Sequence, residues 1–217
     1  MKIALIGASG FVGSALLKEA LLREHQVTAI VRHPEKITTT NPNLTVKKGN
    51  AFNKDEIKEL VKGHDVVLSA YNPGWTNPNI YAEFLQASGS IQQAAKESGV
   101  KRFFIIGGAG SLEVAPGLQL IDTPQFPAEY KEGASAAREY LNILRKEDHL
   151  DWTFFSPAIE MHHGITTGRT GKYRLGTDQP VFNEEKRSIH SAEDLSVAVI
   201  DELENKKFIK KRFTAAY

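Results

Sequence analysis

The feature that most constrains the fold is a glycine-rich turn near the amino terminus. An apolar run at residues 3–6 is followed by Gly7, Gly10 and Gly13, and then by apolar residues at helical spacing. In a strand–turn–helix unit, such glycines allow the tight turn, the approach of a pyrophosphate to the backbone, and close packing of the helix on the strand. Phosphate would bind the free amide groups at the helix amino terminus. The spacing therefore predicts a dinucleotide-binding turn.

Runs rich in β-branched and aromatic residues alternate with helical periodicity along most of the 217-residue chain. The predicted strands are residues 2–6, 26–31, 44–48, 65–69, 102–107, 151–156 and 212–217. Ser191 and Asp194 form the pattern of an amino-terminal cap before the last helix. Alternating strands and helices indicate a parallel sheet with crossover helices. We therefore predict an α/β fold, namely a Rossmann-type, doubly wound, mostly parallel sheet with a small C-terminal substrate-binding portion, in a single domain over residues 1–217.

Three segments rich in Gly, Pro, Asn or Thr interrupt this alternation, namely residues 71–79, 108–129 and 157–187. Each follows a predicted strand, and loops at the carboxyl ends of parallel strands are where open α/β sheets bind ligands. We expect the three loops to form the walls of one substrate pocket. Four aromatic residues are candidates for a flat apolar lining: Tyr71, Trp75, Phe155 and Tyr173. Ordinary core or loop packing is the alternative for each of them.

The composition excludes several classes of function. With 27 Lys and Arg against 26 Asp and Glu, the net charge of +1 provides no field to attract nucleic acid or an anionic membrane. The absence of cysteine removes disulfides and thiolate chemistry, so any redox chemistry belongs to a bound organic cofactor. The apolar run at the amino terminus is too short for a signal or a membrane span. We expect a cytoplasmic protein with a small-molecule substrate and no nucleic-acid or membrane partner; no interface marks an oligomeric state.

The end of the second predicted strand indicates which dinucleotide is preferred. Arg32 occupies the position where NAD-binding proteins of this kind carry an acidic residue for the ribose. A carboxylate there would repel a 2′-phosphate, whereas a guanidinium favours it. NADP(H) is therefore the predicted cofactor. NAD(H) is the alternative, in which Arg32 is only a solvated surface charge.

An ordered set of motifs resembles the atypical short-chain dehydrogenase/reductases. The motifs are Gly7-x-x-Gly10-x-x-Gly13, Val31-Arg32, Gly107-Gly108-Ala109-Gly110-Ser111, Asp151-Trp152-Thr153 with Ser156-Pro157, Thr170-Gly171-Lys172-Tyr173-Arg174 and Arg212-Phe213-Thr214. Within this family, the chain is most similar to the NAD(P)H-binding group provisionally named NADH-flavin reductases or epimerases, which is related to NmrA-like proteins. The resemblance extends over essentially the whole chain.

The resemblance implies a set of cofactor contacts. Along the pyrophosphate it places Gly7, Ser9, Gly10, Phe11 and Val12. Arg32 would meet the adenosine phosphate, and the amide of Asn50, where relatives usually have Asp, would lie beside the adenine. Ser69 and Ala70 would pass under the adenine ribose and the pyrophosphate, and Gly107 and Gly108 would lie near the nicotinamide.

The catalytic set of the extended short-chain dehydrogenases is only partly present. Those enzymes use a Ser after the fifth strand and a Tyr-x-x-x-Lys pair, in which the Lys and the cofactor lower the pKa of the Tyr. Tyr130 matches that Tyr, but Ala134 stands at the Lys position, and glycine occupies the Ser position with Ser111 a few residues later. Tyr130, Ser111 and His162, which lies on the loop after the sixth strand, are the candidate proton donors or orienting groups.

Other polar residues of the 157–187 loop give weaker signals. Glu160, His162 and His163 lack a third well-spaced ligand, and no metal site is predicted. Arg169, Lys172 and Arg174 form a basic stretch that would suit either an anionic ligand or a solvated hairpin.

Three functions are compatible with these features. The leading hypothesis is an NADPH-dependent oxidoreductase that transfers hydride to a flavin, quinone or similar planar acceptor, because such an acceptor can take its proton from solvent. The incomplete Ser-Tyr-Lys set motivates a second hypothesis. In it, the protein is a non-catalytic NADP(H)-sensing regulator of the NmrA-like type. The third is a sugar or nucleotide-sugar epimerase or dehydratase, against which the short C-terminal region argues.

Overall fold

Eight strands form one sheet in the computed structural model, which describes residues 1–217. In chain order the strands are β1 (Lys2–Ile6), β2 (Gln26–Val31), β3 (Leu44–Lys48), β4 (Val66–Ser69), β5 (Arg102–Ile106), β6 (Glu113–Ala115), β7 (Leu118–Gln119), β8 (Asp151–Ser156), β9 (Arg174–Gly176) and β10 (Lys211–Ala216). The sheet order is β3-β2-β1-β4-β5-β8-β10-β9, and β6 and β7 form a separate hairpin. Only β9 runs antiparallel to its neighbour in the large sheet.

Five α-helices cover the two faces of the sheet: α1 (Phe11–Leu22), α2 (Lys54–Val61), α3 (Ile80–Ser98), α4 (Lys131–Leu144) and α5 (Ala192–Asn205). Helices α2, α3 and α4 contribute to the buried core on one face, and α1 and α5 to the core on the other. The predicted Rossmann-type fold is therefore confirmed. None of these helices has both the length and the apolar character that crossing a bilayer requires.

The sheet order changes direction between β1 and β4. From β1 the chain proceeds outward to β2 and β3, and it then returns to place β4 on the other side of β1. In open α/β sheets, the crevice outside the carboxyl ends of the strands at such a reversal is where ligands bind. The glycine turn follows β1, so the fold places it at this crevice.

The predicted strands agree with the structure to within a residue at each end. The cap of α5 is also present, because the Ser191 hydroxyl accepts a hydrogen bond from the Asp194 amide at 3.0 Å. The differences are β6, β7 and β9, which lie inside segments predicted to be loops. These strands have two or three residues each, too few for the alternation of apolar and polar residues that identifies a strand.

Candidate cofactor and substrate site

The three glycines of the turn have distinct geometric roles. Gly7 has a φ of +83°, and a Cβ there would lie 2.7 Å from the Ala70 carbonyl oxygen. A Cβ on Gly13 would lie 2.0 Å from the Gly7 carbonyl oxygen, so a side chain would push α1 away from the turn. On Gly10 a Cβ would meet only that same oxygen, at 3.4 Å. Gly7 and Gly13 are thus required by the fold itself, whereas the space in front of Gly10 is open.

The amino terminus of α1 faces this open space without a side-chain cap. Gly10 is the cap residue and offers no side chain to the amides of the first turn. Those amides have no acceptor within the helix, and together with the helix dipole they form an anion-binding site. Ser9 and Gly10 are exposed, and Phe11 and Val12 are half-buried. These residues can therefore reach a phosphate group.

His163 lies against the start of α1, a contact that the sequence does not reveal. Its ring centroid is 4.0 Å from that of Phe11, with the planes at 43°. The loop after β8 therefore reaches back over the first helical turn, next to the predicted pyrophosphate position. No sequence pattern connects residues so far apart. The only sequence signal in this segment is the adjacent pair His162 and His163 on the loop after a strand.

At the adenosine end, Arg32 is exposed and makes no hydrogen bond or ion pair. Asn50 turns back on its own loop, where its side-chain oxygen accepts a hydrogen bond from the Phe52 amide at 3.1 Å. Its NH2 group has no acceptor and can donate to a base edge. The ring of Phe52 packs edge-on against that of Tyr71, with centroids 6.2 Å apart.

Tyr71 is buried at this end of the site. Its side chain is 8% exposed, and its hydroxyl has no hydrogen-bond partner. Burial raises the pKa of Tyr71 to about 12, with the nearby Arg32 charge opposing the rise and the Glu83 charge adding to it. The hydroxyl therefore stays protonated at neutral pH.

The positions predicted under the adenine ribose (Ser69) and near the nicotinamide (Gly107 and Gly108) are tightly packed. Ser69 is buried at the end of β4, and its hydroxyl lies 3.4 Å from the Tyr71 amide. A Cβ on Gly107 would lie 1.8 Å from the Phe154 ring, and one on Gly108 would lie 3.3 Å from the Ala137 methyl. Gly107 is therefore a packing requirement, and the Ser of the extended enzymes has no room at this position.

Ser111 is buried and bound to an arginine. Its carbonyl oxygen and its hydroxyl accept hydrogen bonds from Arg212 at 3.0 and 3.3 Å. The same guanidinium donates to Asp178 through Nε at 3.0 Å. This Asp178–Arg212 pair joins the 108–129 loop to the 157–187 loop, since the Glu113 amide also donates to the Asp178 carbonyl at 2.8 Å.

Tyr130 lies at the start of α4, exposed and next to Trp75. The two rings are perpendicular, with centroids 5.3 Å apart. A Cβ on Gly133 would lie 2.7 Å from the Trp75 ring. One residue further, Ala134 is buried, and a Cβ on Gly110 would approach its methyl group to 2.9 Å. The position of the absent Lys is thus filled by close packing of α4 against the 108–129 loop.

His162 is exposed on the loop after β8, where its Nδ1 accepts a hydrogen bond from the Gly164 amide at 3.1 Å. No hydrogen bond connects His162 with Tyr130 or Ser111. The three candidate catalytic side chains therefore do not form the linked set that general acid–base catalysis uses in the extended enzymes.

The expectation of an aromatic lining made of four residues is wrong for three of them. Phe155 lies in the core on the α1 and α5 face, with its ring 4.8 Å from Phe213. Tyr173 packs at the edge of that core and donates a hydrogen bond to Asp201. Tyr71 belongs to the core on the opposite face. Trp75 remains as an exposed ring near the site, 53% exposed.

The basic stretch of the 157–187 loop is structural at two of its three residues. Arg169 binds the Glu19 carboxylate on α1 with two hydrogen bonds, of 2.7 and 3.0 Å. Arg174 donates to the carbonyl oxygens of Phe182, at 2.6 Å, and Tyr217. Neither guanidinium is free for an anionic ligand. The sequence suggested either an anionic ligand or a solvated hairpin for these residues. Neither alternative describes the structural role of Arg169 and Arg174, because their partners come from distant elements.

Asp194 on α5 fixes the same loop at a second place. Its carboxylate accepts hydrogen bonds from the Thr170 amide and hydroxyl, at 2.8 and 2.6 Å, and from the Gly171 amide at 2.7 Å. The Tyr217 hydroxyl is a fourth donor, at 2.8 Å. The Ser191 hydroxyl also donates to the Gly168 carbonyl at 2.7 Å. Residues 168–171 are therefore held against both α1 and α5.

A surface recess of about 580 Å³ lies beside this held segment. It is lined by Thr167, Thr170, Lys172, Tyr173, Arg174 and Tyr217. None of these residues belongs to the glycine turn or to the predicted adenosine and nicotinamide ends. The glycine turn at the sheet reversal, rather than this recess, has the geometry of a dinucleotide site.

The fold, the glycine turn and the uncapped helix terminus define a dinucleotide-binding protein of the Rossmann type. The chain belongs to the NAD(P)H-binding family, which it matches over residues 7–206. It is 50% identical to a Bacteroides thetaiotaomicron protein provisionally named an epimerase, whose crystal structure superposes with a TM-score of 0.92 and coverage of 100% of this chain and 96% of that one.

Two further proteins are similar over nearly the whole length. The crystal structure of a Streptococcus pneumoniae protein, provisionally named an NADH-flavin reductase, is 34% identical, with a TM-score of 0.84 and coverage of 100% and 99% of the two chains. YwnB of Bacillus subtilis is 38% identical over 216 residues, 99% of this chain and 97% of YwnB. The predicted resemblance to this family is thereby confirmed.

Proposed function

We propose that this protein is an NADPH-dependent oxidoreductase that transfers hydride to a planar acceptor such as a flavin or a quinone. The observation that carries the proposal is the open, uncapped amino terminus of α1 behind Gly10, at the sheet reversal. The similar Streptococcus pneumoniae protein, with its provisional name of NADH-flavin reductase, supports the choice of reaction. The exposed, unpaired Arg32 supports NADPH over NADH.

The residues present would hold the cofactor along the carboxyl edge of the sheet. The first-turn amides of α1 would bind the pyrophosphate, Arg32 the 2′-phosphate, and Asn50 the adenine. The backbone at Ser69–Ala70 and Gly107–Gly108 would support the ribose and nicotinamide side. The bound nicotinamide would supply the hydride, and the protein would orient the two reactants and exclude competing reactions.

Trp75 and Tyr130 are the side chains that would receive the acceptor. Both rings are exposed and lie at the junction of the 71–79 loop and α4. Flat aromatic surfaces suit the rings of flavins and quinones. A planar acceptor of this kind gains its proton from solvent, so the unlinked Ser111, Tyr130 and His162 are no obstacle to the reaction.

A sensor that binds NADP(H) without turnover is the second candidate. It is favoured by the packing of Ala134 at the Lys position and by the engagement of Ser111 with Arg212. An epimerase or dehydratase would need the acid–base set that this packing removes. For either candidate we propose a cytoplasmic protein that acts on small molecules, with neither nucleic acid nor a membrane as a partner.

The first experiment follows NADPH oxidation by absorbance with FMN, riboflavin, menadione and a benzoquinone as acceptors. We expect saturable turnover that is faster with NADPH than with NADH. Binding of NADPH without turnover of any acceptor would favour the sensor instead. Absence of binding by either dinucleotide would reject both candidates.

A pair of glycine variants tests the position of the cofactor. Gly10→Ala adds a methyl group to the open space in front of α1, so the fold is retained and both dinucleotides lose affinity. Gly89→Ala adds the same methyl group on α3, where a Cβ meets nothing within 4 Å, and serves as the control. Equal affinities in the two variants would place the dinucleotide elsewhere.

A further inference from the structure

The loop after β8 brings a free imidazole to the start of α1. The His163 ring lies against that of Phe11, with the two centroids 4.0 Å apart. Phe11 is the first residue of α1, so its amide is one of the first-turn donors that have no acceptor within the helix. His163 is exposed, and neither of its ring nitrogens makes a hydrogen bond. The imidazole is therefore held next to a residue whose amide would bind the pyrophosphate.

A tight turn presents this imidazole. The Ile165 amide donates to the His162 carbonyl oxygen at 3.0 Å, which closes a turn with His163 as its second residue. The Gly164 amide donates to the His162 ring at 3.1 Å. The two adjacent histidines thus have different roles, because the side chain of His162 is used within the turn and that of His163 contacts α1.

Contacts on both sides of the turn hold it in this place. Before the turn, the Glu160 amide donates to the Ser188 carbonyl oxygen at 2.8 Å, and Met161 packs against the core on the α1 and α5 face. After the turn, Arg169 binds Glu19 on α1 itself. Because the backbone is already anchored, ordering the imidazole around a ligand should cost little.

We propose that the His163 imidazole donates a hydrogen bond to the pyrophosphate of the dinucleotide, in addition to the first-turn amides of α1. This inference rests on the proposed function, which puts the pyrophosphate at that helix terminus. Neutral imidazole has one N–H group and imidazolium has two, so either form can donate. A hydrogen bond to an anionic phosphate is stronger than one between neutral groups. Because NADPH and NADH share the pyrophosphate, His163 should strengthen the binding of both equally.

Replacement by phenylalanine separates the donor from the ring contact. The variant His163→Phe keeps an aromatic ring against Phe11 and removes both nitrogens, so the turn should keep its place. The variant His163→Gln restores an N–H donor and should recover part of the affinity. His149→Phe is the matched control, because His149 is 74% exposed and precedes β8, at the opposite, amino-terminal edge of the sheet.

The experiment measures the dissociation constants of NADPH, NADH and ADP-ribose for the wild type and the three variants by titration calorimetry. ADP-ribose carries the pyrophosphate without the nicotinamide. We expect His163→Phe to weaken all three ligands about tenfold, as for the loss of one hydrogen bond to a charged group. The His149→Phe control should bind them as the wild type does. Urea unfolding of unliganded His163→Phe should match that of the wild type, so that the loss belongs to binding.

Four results would overturn the proposal in distinguishable ways. Unchanged or tighter binding by His163→Phe, with tight binding by the wild type, would remove the role of His163 and leave the proposed function intact. Weaker binding of both dinucleotides with unchanged binding of ADP-ribose would assign the imidazole to the nicotinamide instead. Weaker binding of NADPH alone would assign it to the 2′-phosphate. Failure of the wild type to bind any of the three ligands would remove this inference and the proposed function together.

Discussion

The Arg169 guanidinium binds the Glu19 carboxylate with two hydrogen bonds, across 150 positions of the chain. Glu19 is 3% exposed and also accepts a hydrogen bond from Arg23 at 2.8 Å. Burial opposes ionisation of Glu19, but the hydrogen bonds from Arg169 and Arg23 outweigh it and lower the pKa of this carboxyl. Helix α1, which begins at the glycine turn, is in this way joined to the loop that follows β8.

Removal of this contact should destabilise the protein. We expect Arg169→Ala to lower the free energy of unfolding by about 1–2 kcal/mol, because a buried carboxylate loses two of its donors. Urea unfolding followed by circular dichroism measures the change. Arg187→Ala is the control, since its ion pair with Glu160 is exposed and should matter much less. Equal losses of unfolding free energy in the two variants would show that the contact with Glu19 stabilises the protein no more than an exposed ion pair does.

Reversal of the charge at the end of β2 should change the cofactor preference. We expect Arg32→Asp to weaken NADPH binding at least about tenfold more than NADH binding, since a carboxylate repels the 2′-phosphate. Fluorescence titration of both dinucleotides checks this. Lys101→Asp introduces a similar charge change at the opposite, amino-terminal edge of the sheet and should leave the preference unaltered. An equal effect of Arg32→Asp on both dinucleotides would show that Arg32 does not read the phosphate.

Loss of the exposed indole should affect the acceptor and spare the cofactor. In Trp75→Ala we expect the KM for the planar acceptor to rise by up to about tenfold, because the aromatic contact is removed. The dissociation constant of NADPH should stay the same. Trp75→Phe keeps a flat ring and should recover most of the acceptor affinity. If the alanine variant instead loses NADPH affinity, the indole belongs to the cofactor site.

His190 should make stability depend on pH in the acidic range. It is fully buried with both ring nitrogens unpaired, and burial lowers its pKa from 6.5 to about 4, with Asp194 opposing the shift. Between these pH values the unfolded chain binds a proton that the folded protein does not. The free energy of unfolding should therefore fall as the pH falls through this range, by on the order of 3 kcal/mol.

The variant His190→Leu isolates this contribution. Urea unfolding at several pH values should show a shallower pH dependence than in the wild type. His149→Leu is the control, because the His149 side chain is 74% exposed and its loss should not alter the slope. An unchanged slope in His190→Leu would mean that other groups account for the acid sensitivity.

The sequence was sufficient for features that depend on neighbouring residues. The roles of Gly7 and Gly13 follow from a turn that is complete within thirteen residues, and the cap at Ser191 involves a residue three positions away. Strands of four or more residues are predictable from the sequence, because strand-like composition alternates with helical segments along the chain. These local patterns determine the order of elements, and the handedness of crossover connections limits how they assemble.

Contacts between distant segments could not be predicted in the same way. Phe154 and Phe155 point to opposite faces of the sheet, as neighbours in any strand do, but the sequence does not show which of the two cores each one enters. Which face a loop covers depends on contacts such as that of Asp178 with Arg212, 34 positions apart. Ser111 is likewise a candidate catalytic residue by sequence, because the sequence does not show that Arg212 binds its hydroxyl and its carbonyl oxygen.

The fixed attachment of residues 168–171 to α1 and α5 has a consequence for how this scaffold can be varied. The preceding segment, 162–167, makes only local hydrogen bonds and touches the start of α1 through His163. An insertion there would leave Arg169 and its attachments in place, and doubling the length of such a loop adds only about 0.6 kcal/mol of closure entropy. Libraries aimed at new acceptors can therefore diversify both length and sequence in this segment while His163 and the dinucleotide turn are kept.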